Sequence, residues 1–139
     1  MAPKARAWFA ANVKGGTMES GSVTLAIPPD LLIPVNGKMP PLPDEAIAGE
    51  MLISGASIQL FDTMPILKNG AARAAFTGRQ FHLDTMEGRI EGDSGEAITI
   101  RNGTYRLPDY EADPPIQNIG FRVAGSLSTM TGLMRREPL

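Results

Sequence analysis

Apolar residues in the middle of this chain fall into three short mirror-like patterns. They sit at Met51, Ile53, Ile58 and Leu60, at Ala74, Phe76, Phe81 and Leu83, and at Ile98, Ile100, Tyr105 and Leu107. Each pattern is centred on a dipeptide that suits a tight hairpin turn: Gly55-Ala56 and Gly78-Arg79 for type II′, Asn102-Gly103 for type I′. Turns at these places pair Ile53 with Ile58, Phe76 with Phe81 and Ile100 with Tyr105. One step further out they pair Met51 with Leu60, Ala74 with Leu83 and Ile98 with Leu107. The opposite face is then polar, carrying Ser54, Ser57 and Gln59, then Thr77, Gln80 and His82, then Thr99, Arg101, Thr104 and Arg106. Only Leu52 and Ala75 interrupt it. A slip of one residue would reverse every side chain, so three agreeing hairpins constrain the register.

The flanking segments extend this picture. Pro3 in a first turn, followed by Ala5, Ala7, Ala10 and Ala11, predicts a short helix over residues 2–13 that Gly15-Gly16 ends. Residues 17–27 read as a first strand with Val23, Leu25 and Ile27 on one side. Residues 28–44 hold six prolines and Asn36-Gly37, which predicts a long irregular connection. No basic anchor flanks these prolines, so a plain loop explains them better than a proline-rich ligand. Residues 45–127 read as a meander of short strands. Further strands are expected at 86–91, with Met86 and Ile90 in phase, and at 116–127, with Ile119, Phe121, Val123 and Leu127 in phase. Turns separate them at 62–70, 92–95 and 108–115. A last strand is expected to run into residues 133–139. The fold class that follows is mainly β: a curved antiparallel meander sheet, groove or half-barrel, with a short N-terminal helix, all in a single domain of residues 1–139. The tight turns recur about every 23 to 24 residues, a weak sign of repeated hairpin units. A helix beginning near Met1 and a strand reaching Leu139 suggest a segment excised from something longer.

Composition narrows the functional classes. A net charge of −2 over 139 residues lacks the basic stripe that nucleic acid requires. There is no cysteine, so neither a disulfide framework nor a thiolate metal site can form. No stretch reaches the ~18 apolar residues of a membrane span, and Lys4, Arg6 and Lys14 interrupt any signal-peptide core.

Candidate chemistry is sparse. His82 is the only histidine and alternates with Phe81 and Leu83, which places it on the polar face without nitrogen or sulfur partners for a metal. Glu87 and Glu91 fall on the face opposite Met86 and Ile90. Glu87, Glu91, Asp93 and Glu96 together lack the pattern of a calcium loop. Gly15-Gly16 and the glycines at 92 and 95 do not sit between a buried strand and a helix, as a phosphate cradle would. Ser20, Ser22 and Ser94 have no nucleophile elbow around them. No catalytic, cofactor or metal residues are therefore assigned, and a non-enzyme is expected. The apolar face carries what functional signal there is. Its twelve hairpin positions cover roughly 400 Å² of sheet, more than a monomer ordinarily leaves open. Trp8, Phe9 and the strand at 17–27 could close it as an ordinary core, or it could take acyl chains. In the second reading the lipid contacts are Met51, Ile53, Ile58, Leu60, Phe76, Phe81, Leu83, Ile98, Ile100, Tyr105 and Leu107.

A family resemblance bears on that choice. Trp8-Phe9-Ala10-Ala11-Asn12-Val13-Lys14-Gly15-Gly16 followed by a strand resembles the helix-to-strand opening of the AsmA-like domain of large bacterial envelope proteins. The likeness continues through Leu42-Pro43-Asp44-Glu45, the alternating residues 47–54, Met64-Pro65-Ile66-Leu67, Gly78-Arg79-Gln80-Phe81-His82-Leu83 and the closing residues 133–139. It covers essentially the whole chain and is nearest to YhdP-like and TamB-like members in their alphaproteobacterial form. The resemblance implies a β-groove segment of a periplasmic protein anchored in the inner membrane. Such proteins resemble eukaryotic bridge-like lipid transfer proteins and carry phospholipid toward the outer membrane. The partners it implies are phospholipid or another acyl-chain ligand and neighbouring repeats of the parent protein. Cut sheet edges at 17–27 or 116–127 add a possible edge-strand dimer. The alternative is a non-catalytic structural or interaction β-module with a closed core.

Overall fold

The computed structural model describes residues 3–59, 65–92 and 95–135. A helix, α1 (Pro3–Asn12), leads into two strand pieces, β1 (Val13–Lys14) and β2 (Thr17–Leu25). Then come β3 (Ile47–Ile58), β4 (Leu67–Thr77), β5 (Phe81–Glu91), β6 (Ala97–Leu107) and β7 (Asn118–Gly125), and last a helix, α2 (Leu127–Met134). The seven strands form one antiparallel sheet that does not close into a barrel. β1 and β2 both pair with β3, divided at Gly15-Gly16, and β3 to β7 follow as a meander. The mainly β, curved antiparallel sheet with an N-terminal helix is thus the fold.

One of the three expected hairpins forms in the expected register. Phe76 pairs with Phe81, Ala75 with His82 and Ala74 with Leu83. The Thr77 N–H donates to the Gln80 carbonyl at 2.9 Å across Gly78-Arg79. Neither Gly78 nor Arg79 has a positive φ, so the turn is not type II′. Asp44 clasps it: its carboxylate accepts from Thr77 Oγ1 and from the Arg79 N–H, both at 2.6 Å, and its carbonyl accepts from the Gly78 N–H at 2.9 Å.

The other two expected hairpins are overturned. β3 runs straight through Gly55-Ala56 and β6 through Asn102-Gly103. Ile53 pairs with Ala72 and Ile58 with Leu67, not with one another, and Ile100 and Tyr105 pair separately with β5 and β7. A β-bulge stands at each place instead. The bulged residue adopts a left-handed conformation, φ 60° at Gly55 and 49° at Asn102. The same device occurs at Asn69 in β4 (φ 53°) and Thr85 in β5 (φ 52°). Four neighbouring strands therefore carry a bulge in adjoining registers, a line across the sheet along which each strand bends and twists. The expected separate strand at 86–91 is the second half of β5, continuous past Thr85.

Smaller differences sit at the ends. The first strand stops at Leu25, not at residue 27, and the loop 28–44 contains a 3-10 turn at Pro29–Leu32. The strand expected over 116–127 is limited to β7, and the strand expected into 133–139 is replaced, from Leu127 to Met134, by α2. Residues 136–139, Leu60, Met64, Asp93 and the side chain of Trp8 lie outside the described residues.

The core occupies one face of the sheet. Ile53, Ile58, Leu67, Phe76, Phe81, Leu83, Met86, Ile90, Ile98, Ile100, Tyr105 and Leu107 are all buried there. Phe9 of α1 packs onto it, with its ring edge-on to Phe81 at 6.5 Å, and Phe81 in turn meets Tyr105 at 6.2 Å. Large side chains lie over small cross-strand partners: Phe76 over Gly49, Met86 over Gly103. A Cβ at Gly49 would stand 2.4 Å from the Phe76 ring, so glycine is what lets the ring lie flat on the sheet.

Candidate functional site

The bulge line divides the apolar face into two ends, and they are finished differently. At the β4–β5 turn the face is sealed. Tyr110 is buried there, and its hydroxyl shares one proton between the carbonyls of Gln80 (2.6 Å) and Thr77 (2.8 Å). Burial pushes its pKa up to about 12, with the Asp44 charge adding to the effect. Arg79 bridges to Asp109 at 2.5 Å, which holds that carboxyl below the usual carboxylate range. Tyr105 has no exposure, and burial likewise raises its pKa to about 12. Its hydroxyl donates to Gln117 Oε1 at 3.2 Å.

At the opposite end, where β5 stops and β6 begins, the core opens. A cavity of about 240 Å³ lies between α2 and the strands β5, β6 and β7. Its walls are Ile90, Ile98, Ile100, Phe121, Val123, Met130, Leu133 and Met134, with no polar surface among them. Ile98 and Ile100 are fully packed on their sheet side, whereas Phe121 is 42% exposed and Val123 40% exposed on the edge strand. The cavity is therefore a cleft that begins in the core and runs out over β7. A void with no polar partner does not hold ordered water well.

Local sequence explains α2 over this cleft. Ser126 stands just before the helix in extended conformation, and Leu127, Met130, Leu133 and Met134 recur at helical spacing. Leu133 is buried and Met130 half-buried against the sheet, while Leu127 is 77% and Met134 71% exposed. The polar tie is Glu96, in the turn before β6: its carboxylate accepts from Ser128 Oγ at 3.1 Å and Thr129 Oγ1 at 3.2 Å. Hydrogen bonds from Ser126, Ser128 and Thr129 lower the Glu96 pKa.

Of the eleven residues proposed to contact lipid, Ile98 and Ile100 line the cleft. Ile53, Ile58, Phe76, Phe81, Leu83, Tyr105 and Leu107 are packed into the core. Met51 is partly buried against it, and Leu60 is outside the described residues. Sequence reasoning does not name Ile90, Phe121, Val123, Met130, Leu133 or Met134 as site residues; the last three escape it because it expects strand, not helix, running into residues 133–139. Their spacing of three, three and one residues from Leu127 was the available helical signal.

The polar face is finished differently. A shallow depression of about 300 Å³ includes Glu50, Thr77, Gln80 and His82. Glu50 is paired with Arg73 at 3.2 Å, Thr77 and Gln80 bond to Asp44, and His82 lies 3.4 Å from Asp84. Among the other acidic candidates, Glu91 is held by Lys68 at 2.7 Å and Glu87 is solvated. Among the described residues, no three His, Asp or Glu side chains gather into a group that could hold a metal. No described helix is long and apolar enough to cross a membrane. No protein-family profile, curated protein or solved structure matches this chain.

Proposed function

We propose that this chain binds an acyl chain in the cleft beneath α2, as one segment of a phospholipid-carrying protein of the bacterial envelope. The carrying observation is the cavity of about 240 Å³ without polar lining, continuous with exposed Phe121 and Val123. It falls below the ~300–1,000 Å³ of a site for a whole drug-sized ligand. Part of one acyl chain fits inside, and the remainder lies along the edge strand with its headgroup in water. The placement in the periplasm, within an inner-membrane-anchored protein, rests on the AsmA-like resemblance.

The sheet edges support a place beside neighbouring repeats. β2 and β7 form the two outer edges, and the strands alternate in direction over six rows, from the β1–β2 row to β7. β2 and β7 therefore run antiparallel to each other. A further unit set in the same orientation continues the alternation, and its apolar face stays on the same side. Met18, Val23 and Leu25 at one edge and Phe121 and Val123 at the other sit on that face and are exposed. The same edges fit an edge-strand dimer of this chain.

The second reading, an interaction module without ligand, is favoured by the close packing around Tyr105, Leu83 and Met86. Native mass spectrometry after incubation with phosphatidylglycerol vesicles, alongside the Val123→Asp variant, separates the two. Bound phospholipid in the wild type that Val123→Asp abolishes supports the cleft. No bound lipid in either protein leaves the interaction module as the reading.

A further inference from the structure

We propose that α2 is a hinged lid over the apolar cleft, pivoting at Gly125-Ser126 and latched shut by its first-turn hydroxyls on Glu96. The inference rests on the acyl-chain reading and adds how access to the cleft is controlled. Four observations meet here. The helix joins the sheet through Ser126 alone, after Gly125, whose φ of 156° places it against Ile98 with no room for a side chain. α2 is short and carries no charged residue, so no ion pair ties it down. Its underside, Met130 and Leu133, forms one wall of the cleft, so moving the helix enlarges the same space that an acyl chain would fill. Its polar attachment is concentrated at one end, where Ser128 and Thr129 donate to a single carboxylate. The far end carries Met134 over the cleft mouth. With the pivot before the helix at Gly125-Ser126, the Glu96 contacts two to four residues further on hold α2 down, and beyond them it is held only by apolar contact.

Closed, the helix shields Ile90, Ile98 and Ile100 from water. Open, it exposes them together with its own underside. An incoming hydrocarbon replaces water on both surfaces, and the lid can settle back onto it. Segments that move in binding are drawn from those with few buried contacts, and α2 has Thr129 and Leu133 as its buried residues.

The chain contains no cysteine, which permits a direct test. A Cβ built on Gly92 would lie 2.7 Å from Thr129 Cγ2 and 3.4 Å from Thr129 Oγ1. The pair Gly92→Cys and Thr129→Cys therefore has the close approach that a disulfide needs. Uptake of cis-parinaric acid, followed by its fluorescence in stopped flow, is compared for this variant before and after reduction with dithiothreitol. The expected result is uptake at least tenfold slower in the oxidised form, restored on reduction. Equal uptake in both forms overturns the lid while leaving the cleft intact as a binding site. A wild type that never takes up the probe overturns the cleft, and the lid with it. Glu96→Ala tests the latch without any crosslink. Uptake and release should both quicken several-fold with the sheet still folded by circular dichroism. Unchanged rates in a folded Glu96→Ala protein overturn the latch.

Discussion

The two ends of the apolar face are built from similar residues and close by different means. At the β4–β5 turn, two loops converge on four residues. Asp44 arrives from one side, Asp109 and Tyr110 from the other, and each of the four turn residues bonds to one or more of them across a long sequence separation. At the α2 end, a single helix leans on the sheet through apolar contacts and one carboxylate. The difference is one of directionality. Hydrogen bonds and ion pairs pin a geometry, whereas apolar contact only rewards burial, and hydrocarbon from elsewhere can supply it. The pinned end suits a fixed core and the leaning end suits exchange.

The largest predicted effect contrasts one carboxylate placed at each end. Phe81→Asp puts a charge between the rings of Phe9 and Tyr105, at 4% exposure. Removing that side chain alone costs about 3–5 kcal/mol, and an unpaired buried carboxylate adds to it, so the cooperative melt should be lost at neutral pH. Val123→Asp, on the exposed edge, should keep the melting temperature nearly unchanged and abolish lipid binding. If the two variants melt alike, the two ends do not differ as described.

The bulge line separates the ends, and its strength can be measured next. Asn102→Val places a β-branched residue at φ 49° and should destabilise by about 1–2 kcal/mol in urea titration. Thr85 is the one bulge residue of the four that is poorly suited to its conformation. Thr85→Asn, at an exposed site, should stabilise by about 0.5–1 kcal/mol. A destabilised Thr85→Asn would mean that the strand does not hold the bulge in solution.

The smallest effects concern acid and salt. Asp109 and Glu96 both have folded pKa values below the ordinary range, the first through Arg79 and the second through hydroxyls. Each contributes stability above the unfolded carboxylate value of about 4, and loses it as pH falls through the folded value. The melting temperature should therefore drop on acidification below about pH 4. Added salt distinguishes the ends: it screens the exposed Arg79–Asp109 pair and leaves the hydroxyl–Glu96 contacts largely untouched. Glu96→Gln should remove acid sensitivity from cis-parinaric acid release while the β4–β5 turn still titrates.

Asn-Gly pairs show how far local sequence reaches. There are three, at 36–37, 69–70 and 102–103. At Asn36-Gly37 both residues take positive φ, and Val35 and Lys38 exchange backbone hydrogen bonds at 2.8 and 3.1 Å, a type I′ turn. At the other two, only the asparagine turns left-handed and the strand continues as a bulge. The dipeptide encodes tolerance of positive φ, and that tolerance serves a turn or a bulge equally. Which one forms depends on whether neighbouring strands hold both halves in line, and this is information from distant residues.

The same ambiguity explains why a partly wrong hairpin scheme still named the correct core. A two-residue turn and a one-residue bulge both shift the alternation of side chains by one. Ile53 and Ile58, or Ile100 and Tyr105, therefore end on the same face whether the chain folds back or bends onward. Periodicity determined the β class, the apolar face and the Phe76–Phe81 register, and Pro3, the alanines and Gly15-Gly16 determined the N-terminal helix, because each follows from side-chain alternation, local propensity or a local breaker. The tertiary structure decided the strand lengths, the bulge line, the Asp44 clasp and the packing of α2 over Ile98 and Ile100. Each of those joins residues well separated along the chain, and their contact free energy exists only once the sheet has assembled.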